Sequence, residues 1–253
     1  MSSEHKLHIN DAAHTVHDPA VTIIVVTFNA GIVLEHCLQS IMQQPFKNYQ
    51  LLVFDGQSTD DTIDILHKYN KYISYWQSEP DKGIYDAMNK ALSFVKGKWV
   101  YFLGADDELL PGFSKMAEHL HDAQTLYYGY CYMCGKRTNK RLTAYEVAKV
   151  NICHQAVFYP VQIFARYKYN IEYVVYADHA LNIQCWGDQN IRKKFIPFGV
   201  AKFNHTGFSS FAADKVFEAQ KPGWIKIHMS KYIYVRYLFR KWKAKQKREL
   251  NFR

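Results

Sequence analysis

The sequence predicts an α/β protein built on a doubly wound parallel sheet, and three observations predict it. Strand-like and helix-like segments alternate from residue 21 to about residue 110. The first of them, VTIIVVT at Val21–Thr27, is β-branched throughout, as suits a strand buried on both faces of a parallel sheet. Polar and acidic residues gather where the apolar runs end, at Thr27-Phe28-Asn29, Asp55, Glu79, Asp81 and Asp106-Asp107. Alternation at this spacing builds βαβ units, and ligands of such sheets bind beyond the carboxyl ends of the strands.

Each element follows from local chemistry. Residues 1–20 are polar, rich in His and Asp, and read as a flexible extension ending at Pro19. After Val21–Thr27, Phe28–Gly31 makes a turn; Ile32, Leu34, Leu38 and Ile41 recur at helical spacing, and Pro45 ends that helix. Leu51–Phe54 is a second strand, stopping at Asp55-Gly56. Ser58 with Asp61 reads as a capping box for a helix running to about Tyr69. Ile73–Trp76 is a third strand, and the loop Ser78–Gly83 leads into a helix carrying Ile84, Met88, Ala91, Leu92 and Val95. Gly97 closes that helix, and Trp99–Leu103 is a fourth strand ending at Gly104-Ala105-Asp106-Asp107. Beyond Pro111, Leu126–Met133 and Ala156–Tyr159 read as strands, Ala177–Trp186 as a helix and Lys194–Phe203 as extended chain. The chain divides into the extension 1–20, one domain over 21–220 and a basic tail over 221–253.

Charge is distributed unevenly. Of the net +9, the segment from Lys221 onward carries +10, which leaves residues 1–220 near neutrality. The basic character therefore says nothing about the ligand of the sheet. The five cysteines stand at irregular spacing, no run approaches the ~18 apolar residues of a membrane span, and the first twenty residues do not resemble a leader. Reduced thiols in the cytoplasm are expected. Cys131-Tyr132-Met133-Cys134 is a CxxC, but a structural zinc site wants a second pair, and strand alternation sends Cys131 and Cys134 to opposite faces; buried thiols are expected instead.

The acidic rim carries the chemistry. Adjacent carboxylates repel unless a cation or a hydrogen-bonding ligand lies between or beside them. A divalent ion bridging to a diphosphate would serve, since Mg²⁺ takes one or two carboxylates and completes its shell with phosphate oxygens and water. The alternative is a solvated Asp-Asp-Glu turn before Pro111. Asp178, in Tyr-Ala-Asp-His, is either an ordinary helix-start residue or a buried general base.

Four blocks, VTIIVVTFNA, VFDGQSTDDT, SEPDKGIYDAMNKAL and YFLGADDELLPG, resemble in order and spacing the inverting family-2 glycosyltransferases, above all bacterial members that build capsular, exopolysaccharide or O-antigen chains. The resemblance is dense from Val21 to about Phe113 and continues through CHQAVFYP (153–160) and YADHALNIQCW (176–186). It implies a GT-A, Rossmann-like nucleotide-binding sheet with helices on both faces. It implies that Thr27 and Asp55 contact the uridine of a UDP-sugar donor with Asn29 beside them, and that Asp81 and Lys82 line the nucleotide pocket. Asp106 would hold the ribose or assist the metal, Asp107 would ligate Mn²⁺ or Mg²⁺ on the diphosphate, and Asp178 would deprotonate the acceptor hydroxyl. Where the family often has Asp-x-Asp or Ser-Asp-Asp, this chain has Ala105-Asp106-Asp107. His154 and His205 are candidates for the acceptor side, each with the alternative of a satisfied structural histidine, and the loop 205–209 carries no assigned role.

In the tail, Ile225, Met229, Tyr232, Val235, Phe239 and Trp242 fall on one side of a helical wheel begun at Trp224, with Arg236, Arg240, Lys243 and Lys247 beside them. A basic, aromatic, amphipathic helix over 224–248 suits an anionic membrane surface, peripheral on the inner face of the cytoplasmic membrane, where a glycan or polyprenyl-linked acceptor would be met. The other reading is a helix packed on the domain with a solvated basic face. Nucleic acid is not expected, because no binding motif accompanies the charge. Two rivals remain. A sugar nucleotidyltransferase would have a Gly-rich, Arg-containing loop after the first strand, where this chain has Thr27-Phe28-Asn29-Ala30-Gly31. A non-catalytic nucleotide-sugar-binding or scaffold protein on this fold would not retain Asp55, Asp106, Asp107 and Asp178 together.

Overall fold

The computed structural model describes residues 16–138, 140–204 and 213–251. Four parallel strands, β1 (Val21–Thr27), β2 (Tyr49–Asp55), β3 (Tyr75–Ser78) and β4 (Trp99–Gly104), form one half of the sheet in the order β3-β2-β1-β4. All seven residues of β1 and of β2 are buried, so both faces are covered. The chain moves outward from β1 to β2 and β3, then returns to place β4 on the other side of β1. That reversal is the topological switch point where an open α/β sheet leaves a crevice.

The second half is mixed rather than parallel. Beyond β4 come β8 (Val157–Pro160), β6 (Thr125–Met133), β9 (Arg192–Phe203) and β5 (Glu108–Leu109), with β7 (Lys136–Arg137) on β6. β8 is antiparallel to both β4 and β6, and β9 runs parallel to β6.

Two hydrophobic cores cover the two faces. Alternate residues of β1 divide between them: Val21, Ile23 and Val25 pack under α1 (Leu34–Met42), α2 (Thr62–Tyr69) and α4 (Gly112–Ala117). Ile24 and Val26 pack toward α3 (Ile84–Ala91), α5 (Ala144–Lys149), α6 (Ala177–Gly187) and α7 (Lys215–His228). The period of two in a strand is what permits this division.

Several sequence expectations are corrected. Ile32 is 98% exposed and precedes α1, so it belongs to no buried face. Ser58 does not cap α2: its hydroxyl bonds to Asp55, and the helix begins four residues later, with Asp60 rather than Ser58 accepting from Thr62 N–H. The third strand lies two residues later than expected. Asp18 and Ala20 are already tied to the domain, through Lys98 and through Asn48 and Trp99, so an extension reaching residue 20 is too long. The boundary at 220/221 falls inside α7, whose Phe217 and Ile225 are fully buried in the domain core. The five cysteines are free, but Cys134 is exposed, in a turn with φ of 50°, while Cys131 is buried. The tail is two helices, because the chain breaks after α7 at Met229-Ser230 and restarts as α8 (Lys231–Asn251). Among the described residues, no helix is long and apolar enough to cross a membrane.

Candidate functional site

The carboxyl ends of β1, β2 and β4 bring the rim residues together. Thr27 closes β1, and its Oγ1 is buried with no hydrogen-bond partner among the described residues. A buried hydroxyl left unpaired costs about 1–3 kcal/mol, which makes this atom a candidate ligand contact. Asn29, with φ of 47°, donates its backbone N–H to Ser58 Oγ at 2.7 Å and accepts from Thr59 N–H at 2.9 Å. Its side chain thus fastens the β1 turn to the loop after β2.

Asp55 is 2% exposed and is held from the loop after β2 and from the end of β3: Ser58 N–H donates at 2.8 Å, Ser78 Oγ at 2.6 Å, and the Ser58 hydroxyl to the other oxygen. A carboxylate has about four acceptor positions, so one is left for a ligand. Gly56, the next residue, lets Asp81 approach the backbone closely. A Cβ there would stand 2.7 Å from Asp81 Oδ2 and 3.4 Å from the Phe28 ring, so Gly56, Asp81 and Phe28 form one cradle that any larger residue would fill. Asp81 accepts from Gly83 N–H at 2.8 Å, while Lys82 is exposed and donates its backbone N–H to Asp86 at 3.0 Å.

The turn after β4 places two carboxylates around Gly104. A Cβ on Gly104 would lie 2.6 Å from Asp107 Oδ2 and 3.0 Å from Asp106 Oδ1. Asp107 is 1% exposed and accepts from Gly104 N–H (3.1 Å), Gln155 Nε2 (2.7 Å) and Asn204 N–H (2.9 Å). Burial outweighs those donors and, with Asp106 beside it, raises its pKa to about 7. Asp106 is half-buried, its pKa also raised by burial, and it lines a cleft of about 1120 Å³ that continues past Ile32, Leu110, Phe198 and Phe203. The donor set fits a hard divalent ion: oxygen ligands only, one carboxylate open to the cleft, and a second with an acceptor position left after three hydrogen bonds. Among the described residues no cluster of three His, Cys, Asp or Glu side chains converges, so an ion here would draw its remaining ligands from a diphosphate and water.

A second centre lies at the start of α6. Asp178 is 6% exposed; Oδ2 accepts from Asn151 Nδ2 at 2.6 Å, and Oδ1 accepts from Tyr85 Oη at 3.0 Å and from His179 N–H at 2.9 Å. It does not cap its helix, because Tyr176 occupies the N-cap position. Burial raises its pKa to about 6, against the lowering by these neutral donors. A carboxylate titrating there is ionised at neutral pH yet basic enough to take a proton. Tyr85 Oη also lies 2.8 Å from Val175 O. Its single proton can point to either acceptor, so it can follow the protonation state of Asp178.

The sequence named the carboxylates but missed the residues that hold them: Gln155, Asn151 and Tyr85. Two of the three stand inside blocks that carry the family resemblance, and that was the available signal. His154 is withdrawn from the acceptor side. Its ring stacks on Phe102 at 5.0 Å, its Nε2 meets Tyr169 Oη at 2.9 Å, and burial lowers its pKa to about 3. His205 and the loop 205–209 lie outside the described residues.

The family model described as "Glycosyl transferase family 2" matches residues 22–182. A "PGL/p-HBAD biosynthesis glycosyltransferase" of Mycobacterium bovis (strain BCG / Pasteur 1173P2) is 34% identical over 218 residues, spanning 81% of this chain and 84% of the relative. Among solved structures, Staphylococcus aureus TarS 1-349 in complex with UDP-GlcNAc superposes with a TM-score of 0.65 at 16% identity, over 81% of this chain and 70% of that one. The mannosyltransferase PcManGT from Pyrobaculum calidifontis, in complex with GDP-Man and Mn2+, gives 0.59 at 16% identity, over 95% and 79%. At such identities the two structures show the shared fold alone.

Proposed function

The chain belongs to glycosyl transferase family 2, and from that premise we propose that it moves one sugar from a UDP-sugar to a glycan or polyprenyl-linked acceptor, with inversion, in bacterial surface-polysaccharide synthesis. The observation that carries the mechanism is Asp178, a buried carboxylate with a pKa of about 6 held only by neutral donors. Inverting transfer needs one base: the acceptor oxygen attacks the anomeric carbon, its proton passes to Asp178, and the bond to the diphosphate breaks with its electron pair leaving on the diphosphate.

The nucleotide half divides the remaining work. Thr27 Oγ1, the last acceptor position of Asp55, and the Gly56–Asp81–Phe28 cradle would receive the uridine, with Lys82 at the pocket mouth. Asp106 and Asp107 would hold Mn²⁺ or Mg²⁺ together with the diphosphate. When bound, the ion supplies neutralisation of the charge on the leaving group. A structural relative bound to UDP-GlcNAc supports a nucleotide-sugar donor, and one bound to GDP-Man and Mn2+ supports the metal while offering guanosine as the competing base. Work on a lipid-linked acceptor would keep the enzyme at the inner face of the cytoplasmic membrane.

Calorimetric titration of UDP and of GDP, with and without Mn²⁺, tests the donor reading. Metal-dependent UDP binding that disappears in Asp107→Asn is the expected result. Preference for GDP would overturn the uridine assignment, and binding indifferent to both metal and Asp107 would overturn the metal site.

A further inference from the structure

Both C-terminal helices bury apolar residues in one core, and α8 carries a second apolar face that is exposed. α7 is buried through Phe217, Lys221 and Ile225, and Lys221 Nζ donates to Lys149 O at 3.1 Å. Met229, in the break, is also buried. α8 then rests Tyr237, with Ile233 and Tyr234 beside it, on the same core, and Arg236 lies over the Tyr145 ring of α5 at 3.9 Å. At 3.6 residues per turn, the opposite face carries Tyr232, Val235, Phe239 and Trp242. These are 71, 56, 55 and 55% exposed, and Phe239 and Trp242 stack at 5.8 Å.

A helix lying on a globular domain ordinarily turns polar residues outward. Here the outward face is aromatic and contiguous, which marks an interaction surface. Between Lys231 and Lys247 there are seven Lys or Arg and no acid, and Lys243 Nζ lies 4.7 Å from the Phe239 ring centre. Pairing of two copies through this face would set two helices against each other that each carry no acid between Lys231 and Lys247 to offset the other's Lys and Arg. An anionic bilayer instead takes the rings at the headgroup level and the cations at the phosphates.

We infer that α8 docks the Tyr232–Val235–Phe239–Trp242 face onto an anionic bilayer while Ile233 and Tyr237 fix the helix to the catalytic domain. The inference deepens the lipid-linked-acceptor reading and rests on it for its purpose. The position of α8 agrees: it packs on α5, and Asn151, two residues past the end of α5, holds Asp178. The docking face and the proposed base therefore belong to one packed block.

The test is co-sedimentation of the full chain with vesicles of phosphatidylglycerol and phosphatidylcholine mixed about 1:1, against phosphatidylcholine alone, at roughly 0.1 and 0.5 M salt. Binding to the anionic vesicles only, weakened by salt, is expected. Both Phe239→Glu/Trp242→Glu and Arg240→Glu/Lys243→Glu change exposed side chains and should weaken it about tenfold or more. UDP titration of the same variants should match the unsubstituted chain, which separates failure of docking from failure of the donor site. Equal binding to both vesicles would overturn the inference, as would aromatic variants that sediment unchanged. A lipid-free dimer that Phe239→Glu/Trp242→Glu converts to monomer would also overturn it, by assigning the face to a second copy.

Discussion

Replacing Tyr85 by phenylalanine should move the acid limb of the pH–rate profile upward. Asp178 acts ionised, so activity is present above its pKa of about 6 and lost below it. Tyr85 Oη, 3.0 Å from Oδ1, favours the ionised form. A hydrogen bond to a charged group is worth about 1.5–3 kcal/mol. The low end applies here, because the same proton is also within reach of Val175 O. About 1.4 kcal/mol is one pK unit, which places the acid limb of the variant near pH 7. The ionised fraction at pH 6 then falls from about a half to about a tenth, a roughly fivefold loss of kcat/KM, with little change above pH 8. The assay is UDP release from a UDP-sugar with acceptor present, measured from pH 5 to 9 in roughly constant ionic strength. UDP affinity should not change, since Tyr85 faces α6 rather than the nucleotide rim. Superimposable acid limbs in the two proteins would refute the linkage between Tyr85 and the base.

Three further outcomes follow from the same geometry. Asp178→Asn should lower transfer by about 10²–10⁴-fold while UDP still binds, as calorimetry would report; intact turnover would remove the base assignment. Thr27→Val keeps the shape of the side chain and deletes an unpaired hydroxyl, so the ligand-free protein should be as stable or up to about 1 kcal/mol more stable, with UDP affinity reduced; a fall in thermal stability with UDP affinity unchanged would mean the hydroxyl serves the fold. Gly104→Ala drives a methyl to 2.6 Å from Asp107 Oδ2, which should abolish metal-dependent UDP binding while circular dichroism stays native; unchanged binding would place the ion away from this turn.

The first half of the sheet was legible because its information is local. β1, β4 and the Leu51–Phe54 part of β2 are unbroken β-branched or apolar runs, and each helix between them shows its own period. The errors came where one signal has two uses. Ser58 followed by Asp61 reads as a cap, but the serine is drawn to Asp55 instead. The charge count from Lys221 onward set the start of the tail there, yet α7 runs through residue 221 and the Pro222-Gly223 pair because Phe217 and Ile225 anchor it in the core. A wheel begun at Trp224 puts Ile225, Met229 and Phe239 on one side. The break at Met229-Ser230 resets the phase, so the first two are buried and the third is exposed.

The carboxylates themselves were written in the sequence, since strand ends and adjacent acids can be read within a few residues. What holds and tunes them was not. Asp107 is fixed by Gln155 and Asn204, 48 and 97 residues away, and Asp178 by Tyr85, 93 residues away. Burial, which raises their pKa values to about 7 and about 6, is likewise a property of the packed domain. Patterning fixes local conformation because it acts over one turn or one pleat. Desolvation and hydrogen-bond partners depend on which distant segments the sheet brings to one rim, and only the tertiary structure decides that.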